Sequence, residues 1–562
     1  MRWSFKPIPE NHKIDKLAKE LNIDTELATL LVQRGIETYE QAKRFFRPSL
    51  ADLHNPYLMK DMDKAVARIE KALKANEKIM VYGDYDVDGT TSVALVYVYL
   101  SQFSNLVTTY IPDRYTEGYG ISYQGIDFAA DNDISLIIAL DCGIKEAKKV
   151  AYATEKNIDF VICDHHLPGV EIPKAVAVLN PKQVDCEYPF KELCGCGVGF
   201  KLIQALAEKN HQTIHDLIPF LDLVATAIAA DIVPMDGENR ILAYFGLIQI
   251  NQNPRPGIKA LIHQLKKEIT ITEVVFQIAP RINAAGRIKH GNHAVELLIE
   301  TNLEQALQYA EAIEKYNTER RDLDQEITKQ ALHQIIKNKE ENDSSTVVFN
   351  ENWMKGVIGI VASRLIETYY RPTIVFTKSD DFYVASARSV NGFDLYSALE
   401  QCEEFIVQFG GHKHAAGITI KAENYHLFKN KFKEVVQKTK IETSNTPTIE
   451  VDLPLDLSVV TPKFYRVLKQ FAPFGPANMN PVFLSVGLRD NGYGKAVGAD
   501  GAHVKLNIIN GADAKTYNAI GFNLAEQFST ISNSFQAVYS LEENHWNGNS
   551  SIQLMLKDLK PE

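Results

Sequence analysis

The apolar positions of this chain change period along its length, and those changes divide it. From Leu17 to Arg34 they recur at helical spacing until Arg34-Gly35-Ile36 breaks the pattern. Pro48 and Pro56 mark an irregular connector, so residues 1–60 read as a small helical lead-in. Short apolar runs of strand length then alternate with helical patterns. Val66–Leu73 reads as helix, Ile79–Tyr82 as strand, Val93–Leu100 as an apolar helix, Ile134–Leu140 as strand, Lys145–Glu155 as helix and Ile158–Cys163 as strand. This alternation predicts a mainly parallel sheet, which binds ligands beyond the carboxyl ends of its strands. Residues 303–336 keep helical spacing without a sustained heptad, which predicts a spacer helix ending at the polar Glu340–Ser345. Thr346–Phe349 and Phe382–Ala385 read as strands around the helix Ile360–Glu367, and Lys438–Thr448 as a polar linker. Six short alternating runs follow: 448–453, 482–486, 503–509, 517–522, 537–541 and 551–556. They predict a small barrel.

Each of the three strands in the first α/β segment ends in aspartate. The first is followed by Asp84-Tyr-Asp86-Val-Asp88-Gly89, the second by Asp141-Cys-Gly143, the third by Asp164-His165-His166. If the chain stays extended, period two puts Asp84, Asp86 and Asp88 on one side, with Thr90–Ser92 as capping types for the helix beyond. Like charges that close repel strongly unless a cation neutralises them, and hard divalent cations favour oxygen ligands. Asp222 and Asp231 lie in an apolar helical stretch, where a buried carboxylate is costly without a partner. Asp222 is the better additional ligand by its apolar context, and Asp231 reads as a helix-end aspartate. Carboxylates with the His165 imidazole suit Mn²⁺ or Mg²⁺, and Mn²⁺ tolerates nitrogen better.

Composition narrows the class. The 562 residues exceed one hydrophobic core, and 45% hydrophobic with 23% charged residues is an ordinary globular balance. Six scattered cysteines suit a reducing cytoplasm, and Cys194-Gly-Cys196, without a second pair at ligand spacing, reads as glycine-rich packing rather than a zinc site. A net charge of −11 argues against bulk attraction to nucleic acid but is compatible with a local basic groove. The N-terminus lacks the apolar core of a signal peptide, and no apolar run has the length of a membrane helix.

The aspartate motifs, Asp164-His165-His166 and the Asp222 segment come in an order that resembles the DHH phosphoesterase superfamily. Pro280-Arg281-Ile-Asn283-Ala-Ala-Gly286-Arg287, Gly410-Gly411-His412-Lys413-His414-Ala-Ala-Gly417 and Phe471-Ala-Pro-Phe474-Gly475-Pro476 resemble later segments of the RecJ single-strand-specific exonucleases, so the likeness spans nearly the whole chain. It implies an α/β DHH domain over 61–300 with a parallel sheet, a connecting helix over 301–345, an α/β DHH-associated domain over 346–437 and a C-terminal β-barrel (OB-fold) over 448–562. It implies a metal-dependent single-stranded-DNA exonuclease of recombination and repair, running 5′ to 3′ and releasing 5′-mononucleotides. One or two Mn²⁺ or Mg²⁺ ions would sit on Asp86, Asp88, Asp141, His165 and Asp222. Asp141 would bridge them, His166 would meet the phosphate, and Asp84 and Asp164 would orient the ligands.

Arg281, Arg287, Arg364, Arg388, Gly410, Gly411, His412 and His414 are the candidate nucleic-acid contacts, with Phe474, Lys495, His503 and Lys505 on the barrel. Single-stranded DNA is the implied partner, with a single-strand-binding protein and a helicase as candidate protein partners and no membrane. One departure matters: Tyr82 stands where smaller DHH phosphatases carry a histidine ligand, which implies one weakly held metal. A small-substrate phosphodiesterase, a scaffold without catalysis and a pyrophosphatase are the competing readings. Chain length and barrel disfavour the first, the retained ligands the second, Tyr82 and size the third.

Overall fold

The computed structural model describes residues 1–439, 447–510, 515–531, 533–546 and 549–562. The chain forms two compact units. One comprises Leu53–Val233 and Gly237–Thr446; the other comprises Met1–Asp52, Pro234–Asp236 and Pro447–Glu562.

The first unit contains two sheets. One has five parallel strands in the order Val107–Tyr110, Lys78–Gly83, Ile134–Leu140, Asp159–Cys163, Ala177–Leu179. Beyond their first one or two residues its central strands are buried, as continuous Val/Ile/Leu runs require when helices cover both faces. The motif after the first strand does not stay extended. The helix Val87–Leu100 starts four residues after Gly83, and Asp86 is its N-cap, accepting from the Gly89 N–H at 3.0 Å. Period two is therefore lost, and the three aspartates point to different surroundings. Thr90–Ser92 are buried inside the helix and do not cap it; Thr90 and Thr91 donate to the Asp86 and Val87 carbonyls. A Cβ on Gly89 would lie 2.3 Å from the Asp84 carbonyl oxygen, so this turn admits only glycine.

The 35-residue helix Leu303–Lys337 follows. Its Ile327, Ala331 and Ile335 pack on Trp353, Val357, Ile358 and Val361. The second sheet has the order Ile406–His412, Ala415–Lys421, Phe382–Arg388, Thr373–Ser379, Thr346–Phe349 and is antiparallel except for its last pair. Ser386-Ala-Arg388 belongs to the Phe382–Arg388 strand rather than following it.

In the other unit, seven strands form a sheet that closes on itself where Phe483–Asp490 pairs with both Phe535–Trp546 and His503–Asn510. The N-terminal segment is part of this unit. Leu17, Leu27, Leu30 and Leu31 share one core with Leu455, Phe464, Phe471 and Tyr539, and the strand Arg2–Phe5 pairs in parallel with Thr448–Val451. The helical spacing over 17–34 is two helices, Asn11–Leu21 and Thr25–Gln33, separated by Asn22 in the left-handed region. Of the expected linker, residues 440–446 lie outside the described residues. Among the described residues no helix is long and apolar enough to cross a membrane.

Candidate metal centre

Three neighbouring parallel strands deliver Asp84, Asp141 and Asp164 to one edge of the sheet. Asp141 takes a left-handed conformation (φ 59°) and Gly143 follows at φ 111°. A non-glycine residue there costs about 1–3 kcal/mol, a strain that recurs where side chains are aimed at a function. The helix Gly195–Lys209 points its N-terminus at the same edge. The Gly195 and Cys196 N–H groups donate to the two oxygens of Asp88 at 2.6 and 2.7 Å, and a Cβ on Gly195 would sit 2.6 Å from Asp141 Cβ. Cys194 caps this helix through Sγ, and all six cysteines are free and buried.

His165 is the hub. Its Nε2 lies 3.2 Å from Asp141 Oδ1, 3.8 Å from Asp88 Oδ2 and 3.7 Å from Asp231 Oδ2. Donor atoms of Asp88, His165 and Asp231, and of Asp141, His165 and His166, form two sets within which all atoms lie inside 4.8 Å. Burial pushes Asp88 up to about 7, with the Asp86 charge adding to the shift. Burial also raises Asp231 to about 8, with Asp88 and Asp86 repelling it. Asp141 goes well above the carboxylate range through burial and then Asp88, and its Oδ1 accepts no hydrogen bond from the described residues. His165 falls to about 3 through burial and the nearby His166, so it is a neutral imidazole. Buried like charges, an unsatisfied carboxylate oxygen and a neutral imidazole form a donor set that fits a divalent cation of the Mn²⁺ or Mg²⁺ type.

The other expected residues fall around this cluster. Asp86 is half-buried at the helix cap, and its charge reaches Asp84, Asp88, Asp141 and Asp231. Asp84 is fully buried, and its oxygens accept no hydrogen bond of normal geometry. Burial and then Asp86 hold its pKa well up, against small opposing effects of the Tyr85 and Gly120 N–H groups. Asp164 takes the N–H groups of Ile144, His165 and His166 and the His166 ring at 2.7 Å. Burial alone would raise it, but the His166 hydrogen bond and charge hold it at about 2. That contact outweighs burial in raising His166, whose Nε2 lies 3.2 Å from the Tyr119 hydroxyl. Tyr82 is buried and turns its hydroxyl to the Gly120 carbonyl, 2.8 Å away.

Asp222 requires a correction. It is fully buried, but its carboxylate is turned to Arg255, accepting from Nε and from the backbone N–H, both at 2.9 Å. Its burial has a structural partner, and Asp231, one helix length later, reaches the cluster instead. The signal for Asp231 was its place at the C-cap of the helix Leu221–Ala230, where a side chain leaves the apolar packing.

A group of cations lies in the same unit. Arg114 stacks 3.7 Å over the Tyr85 ring and donates to the Gly286 carbonyl. Burial lowers Arg287 to about 9, with Arg114, Arg388 and Arg320 repelling it, and it donates to the Gly356 carbonyl. Burial alone lowers Arg388, and Lys355 is lowered by burial and then by Arg114. Among the described residues, Arg114, Arg287, Arg388 and Lys355 have no carboxylate partner in an ion pair, so the cluster suits an anion. Gly359 lets the helix Ile358–Thr368 approach this group, since a Cβ there would lie 3.2 Å from the Arg388 guanidinium. Two expected contacts are spent elsewhere. Arg281 pairs with Glu314 at 2.5 Å, and Arg364 pairs with Asp324 at 2.6 Å. Gly410, Gly411 and His412 end one strand of a tight hairpin with Ala415–Lys421, and His414 lies in its turn. Burial lowers His412, followed by the charges of His414, Arg388 and His166, so the hairpin tip lies within electrostatic reach of both groups. Sequence reasoning missed Arg114, Tyr119 and Lys355; Gly118 and Gly120 on either side of Tyr119, and Gly356 after Lys355, were the signal that could have found the latter two.

Residues 78–228 match the DHH family, N-terminal domain; residues 342–438 match the DHHA1 domain; residues 451–558 match the RecJ OB domain. The chain is 37% identical to the single-stranded-DNA-specific exonuclease RecJ of Bacillus subtilis, over 99% of this chain and 70% of that protein. It is 30% identical to the Escherichia coli RecJ, over 95% of this chain and 96% of that protein. The crystal structure of RecJ in complex with Mn²⁺ from Thermus thermophilus superposes with a TM-score of 0.85 at 26% identity, covering all of this chain and 80% of that one.

Proposed function

Because this chain belongs to the RecJ family of single-stranded-DNA-specific exonucleases, we propose that Asp88, Asp141, His165 and Asp231, with Asp86 beside them, hold the divalent cations with which it hydrolyses phosphodiester bonds. It is a metal-dependent exonuclease of single-stranded DNA, and its role in recombination and repair follows the family. Bound Mn²⁺ or Mg²⁺ supplies positive charge to the phosphoryl oxygens and acidifies the attacking water. The protein's own groups do the rest. The Gly195 and Cys196 N–H groups fix Asp88, and Asp164 fixes the His166 ring. The Asp164 contact raises the His166 pKa and so favours the charged ring, whose Nε2 would offer a proton to a phosphate oxygen. Arg114, Arg287, Arg388 and Lys355 bind phosphate. A terminal phosphate in that cluster supports 5′ to 3′ polarity and release of 5′-mononucleotides.

The barrel supplies a stacking and basic surface. Lys495 and Lys505 are exposed directly opposite each other on paired strands, a repulsion that a polyanion would relieve. His503, on the same face as Lys505, meets the exposed Phe522 edge-on at 5.0 Å, and Tyr493 nearby in sequence is 74% exposed. Phe474 packs against the core of its unit, which argues for Phe522 as the stacking residue. The free buried cysteines support a reducing, cytoplasmic compartment, and the need for unpaired strands supports a helicase and a single-strand-binding protein as working partners.

The observation that carries the reading is the convergence of Asp88, Asp141, His165 and Asp231. The test compares hydrolysis of a long single strand, a dinucleotide and pyrophosphate with Mn²⁺, with either strand end labelled. Release of labelled mononucleotide first from a 5′-labelled strand is expected. Rapid turnover of pyrophosphate with none of the strand refutes it.

A further inference from the structure

A groove of about 680 Å³ lies along the C-terminal half of the helix Leu303–Lys337, walled on its other side by the loop that starts at Asn350. That volume lies in the range of ligand sites. On the helix wall Lys329, His333 and Lys337 are exposed at i, i+4 and i+8, one above another on a single face. A run of charge is usually a solvated surface, and the rest of this helix shows what such a surface looks like. Lys315 pairs with Glu311, Arg320 with Asp324 and Arg321 with Glu314. Lys329 and Lys337, the remaining basic residues of the helix apart from His333, have no ion pair among the described residues, in a chain whose net charge is −11.

The groove walls are braced. Gln334 bonds both the N–H and the carbonyl of Phe349, and the Trp353 indole N–H donates to Gln330 Oε1 at 2.8 Å. The side-chain amides of Asn338 and Asn352 have no hydrogen-bond partner among the described residues. The same loop then continues through Lys355 to Gly356, whose carbonyl accepts from Arg287 at 2.9 Å. One continuous stretch therefore joins the groove to the guanidinium cluster.

We propose that this groove is a second track for the single-stranded DNA substrate, with Lys329, His333 and Lys337 meeting successive phosphates beyond those held by Arg114, Arg287 and Lys355. The inference rests on the exonuclease reading above. Charge complementarity and continuity with the phosphate cluster select the strand as the occupant. The track adds affinity for strands long enough to reach it and adds nothing to the chemistry.

The test uses the full chain with two variants. Lys329→Gln combined with Lys337→Gln removes two charges from one wall, and Asn352→Asp adds a negative charge to the other; all three positions are exposed. Affinity for oligothymidylates of increasing length is measured at several salt concentrations in EDTA, beside turnover of a trinucleotide with Mn²⁺. Each phosphate contact contributes about 0.7 to the logarithmic salt slope for single strands. The double variant should lower that slope by about 1.4 and weaken long-strand binding about 25-fold at 0.1 M salt. Asn352→Asp should weaken long-strand binding in the same direction, and trinucleotide turnover should stay normal in both. Unchanged slope and affinity at every length overturns the proposal, as does an effect confined to trinucleotide turnover. Failure of the unaltered chain to digest long strands would refute the exonuclease reading instead.

Discussion

Asp222 and Asp231, in one apolar helix and at its C-cap, are assigned opposite roles by their partners, and a pair of substitutions separates them. Asp222 is fully buried and held by Arg255 through two contacts of 2.9 Å. Asp222→Ala strands that guanidinium, and breaking a buried pair from one side costs about 3–5 kcal/mol. The unit that contains it has roughly 390 residues, which at about 2.1 cal/mol/K per residue gives an unfolding entropy near 0.8 kcal/mol/K. Its Tm should fall by roughly 4–6 °C. Asp231 is repelled by Asp88 and Asp86, so Asp231→Asn should leave the metal-free Tm unchanged or higher. Its loss should appear on adding Mn²⁺. A ligand at a hundred times its Kd stabilises by about 2.7 kcal/mol, or about 3 °C here; a hundredfold weaker site leaves about 0.4 kcal/mol, or about 0.5 °C. Differential scanning calorimetry with Mn²⁺ and with EDTA reads both effects. If Asp222→Ala removes the Mn²⁺ response while Asp231→Asn keeps it, the assignment is wrong.

Asp141→Ala should abolish cleavage and leave single-strand affinity within a few-fold, read by gel assay and fluorescence anisotropy; near-normal turnover in excess Mn²⁺ would remove it from the centre. A blunt duplex should resist digestion that a single strand of equal length does not, measured as release of acid-soluble nucleotide. Phe522→Ala should weaken single-strand binding by about 5- to 150-fold, the value of about 1–3 kcal/mol for one stacked base, with kcat at saturation little changed. Truncation after Lys438 should give far less soluble protein than truncation that also removes residues 1–52, because Leu17, Leu27 and Leu30 bury against the barrel's core; equal soluble yields would contradict that packing.

The parallel sheet was legible because burial on both faces leaves uninterrupted apolar runs; the strand Ile134–Leu140 lies where its sequence places it. The spacer helix is legible for a different reason, the helical spacing of its apolar positions. The shape of the Asp84–Asp88 motif is not legible, because period two holds only while the backbone stays extended, and Asp86 caps a helix there. Apolar context favours Asp222 over Asp231 because it flags a costly carboxylate without saying what offsets the cost. The offset is Arg255, thirty-three residues downstream, a pairing that local pattern does not encode. The same holds for Arg281 and Arg364, spent on Glu314 and Asp324, and for Arg114 and Lys355, which only the fold brings beside Arg287. Terminal helices sharing a core with strands beyond residue 450 leave no mark in either segment alone.

That shared core has a consequence for biosynthesis. The leucines of the first helices leave the ribosome long before the barrel strands that cover them exist. At ~5–20 residues per second, the roughly 400 residues between them take about 20–80 s to translate. Through that interval the opening segment carries an uncovered greasy face while the intervening unit is still being made. A folding event that completes this unit therefore waits on strands made roughly 400 residues later, and until then those leucines need cover from elsewhere.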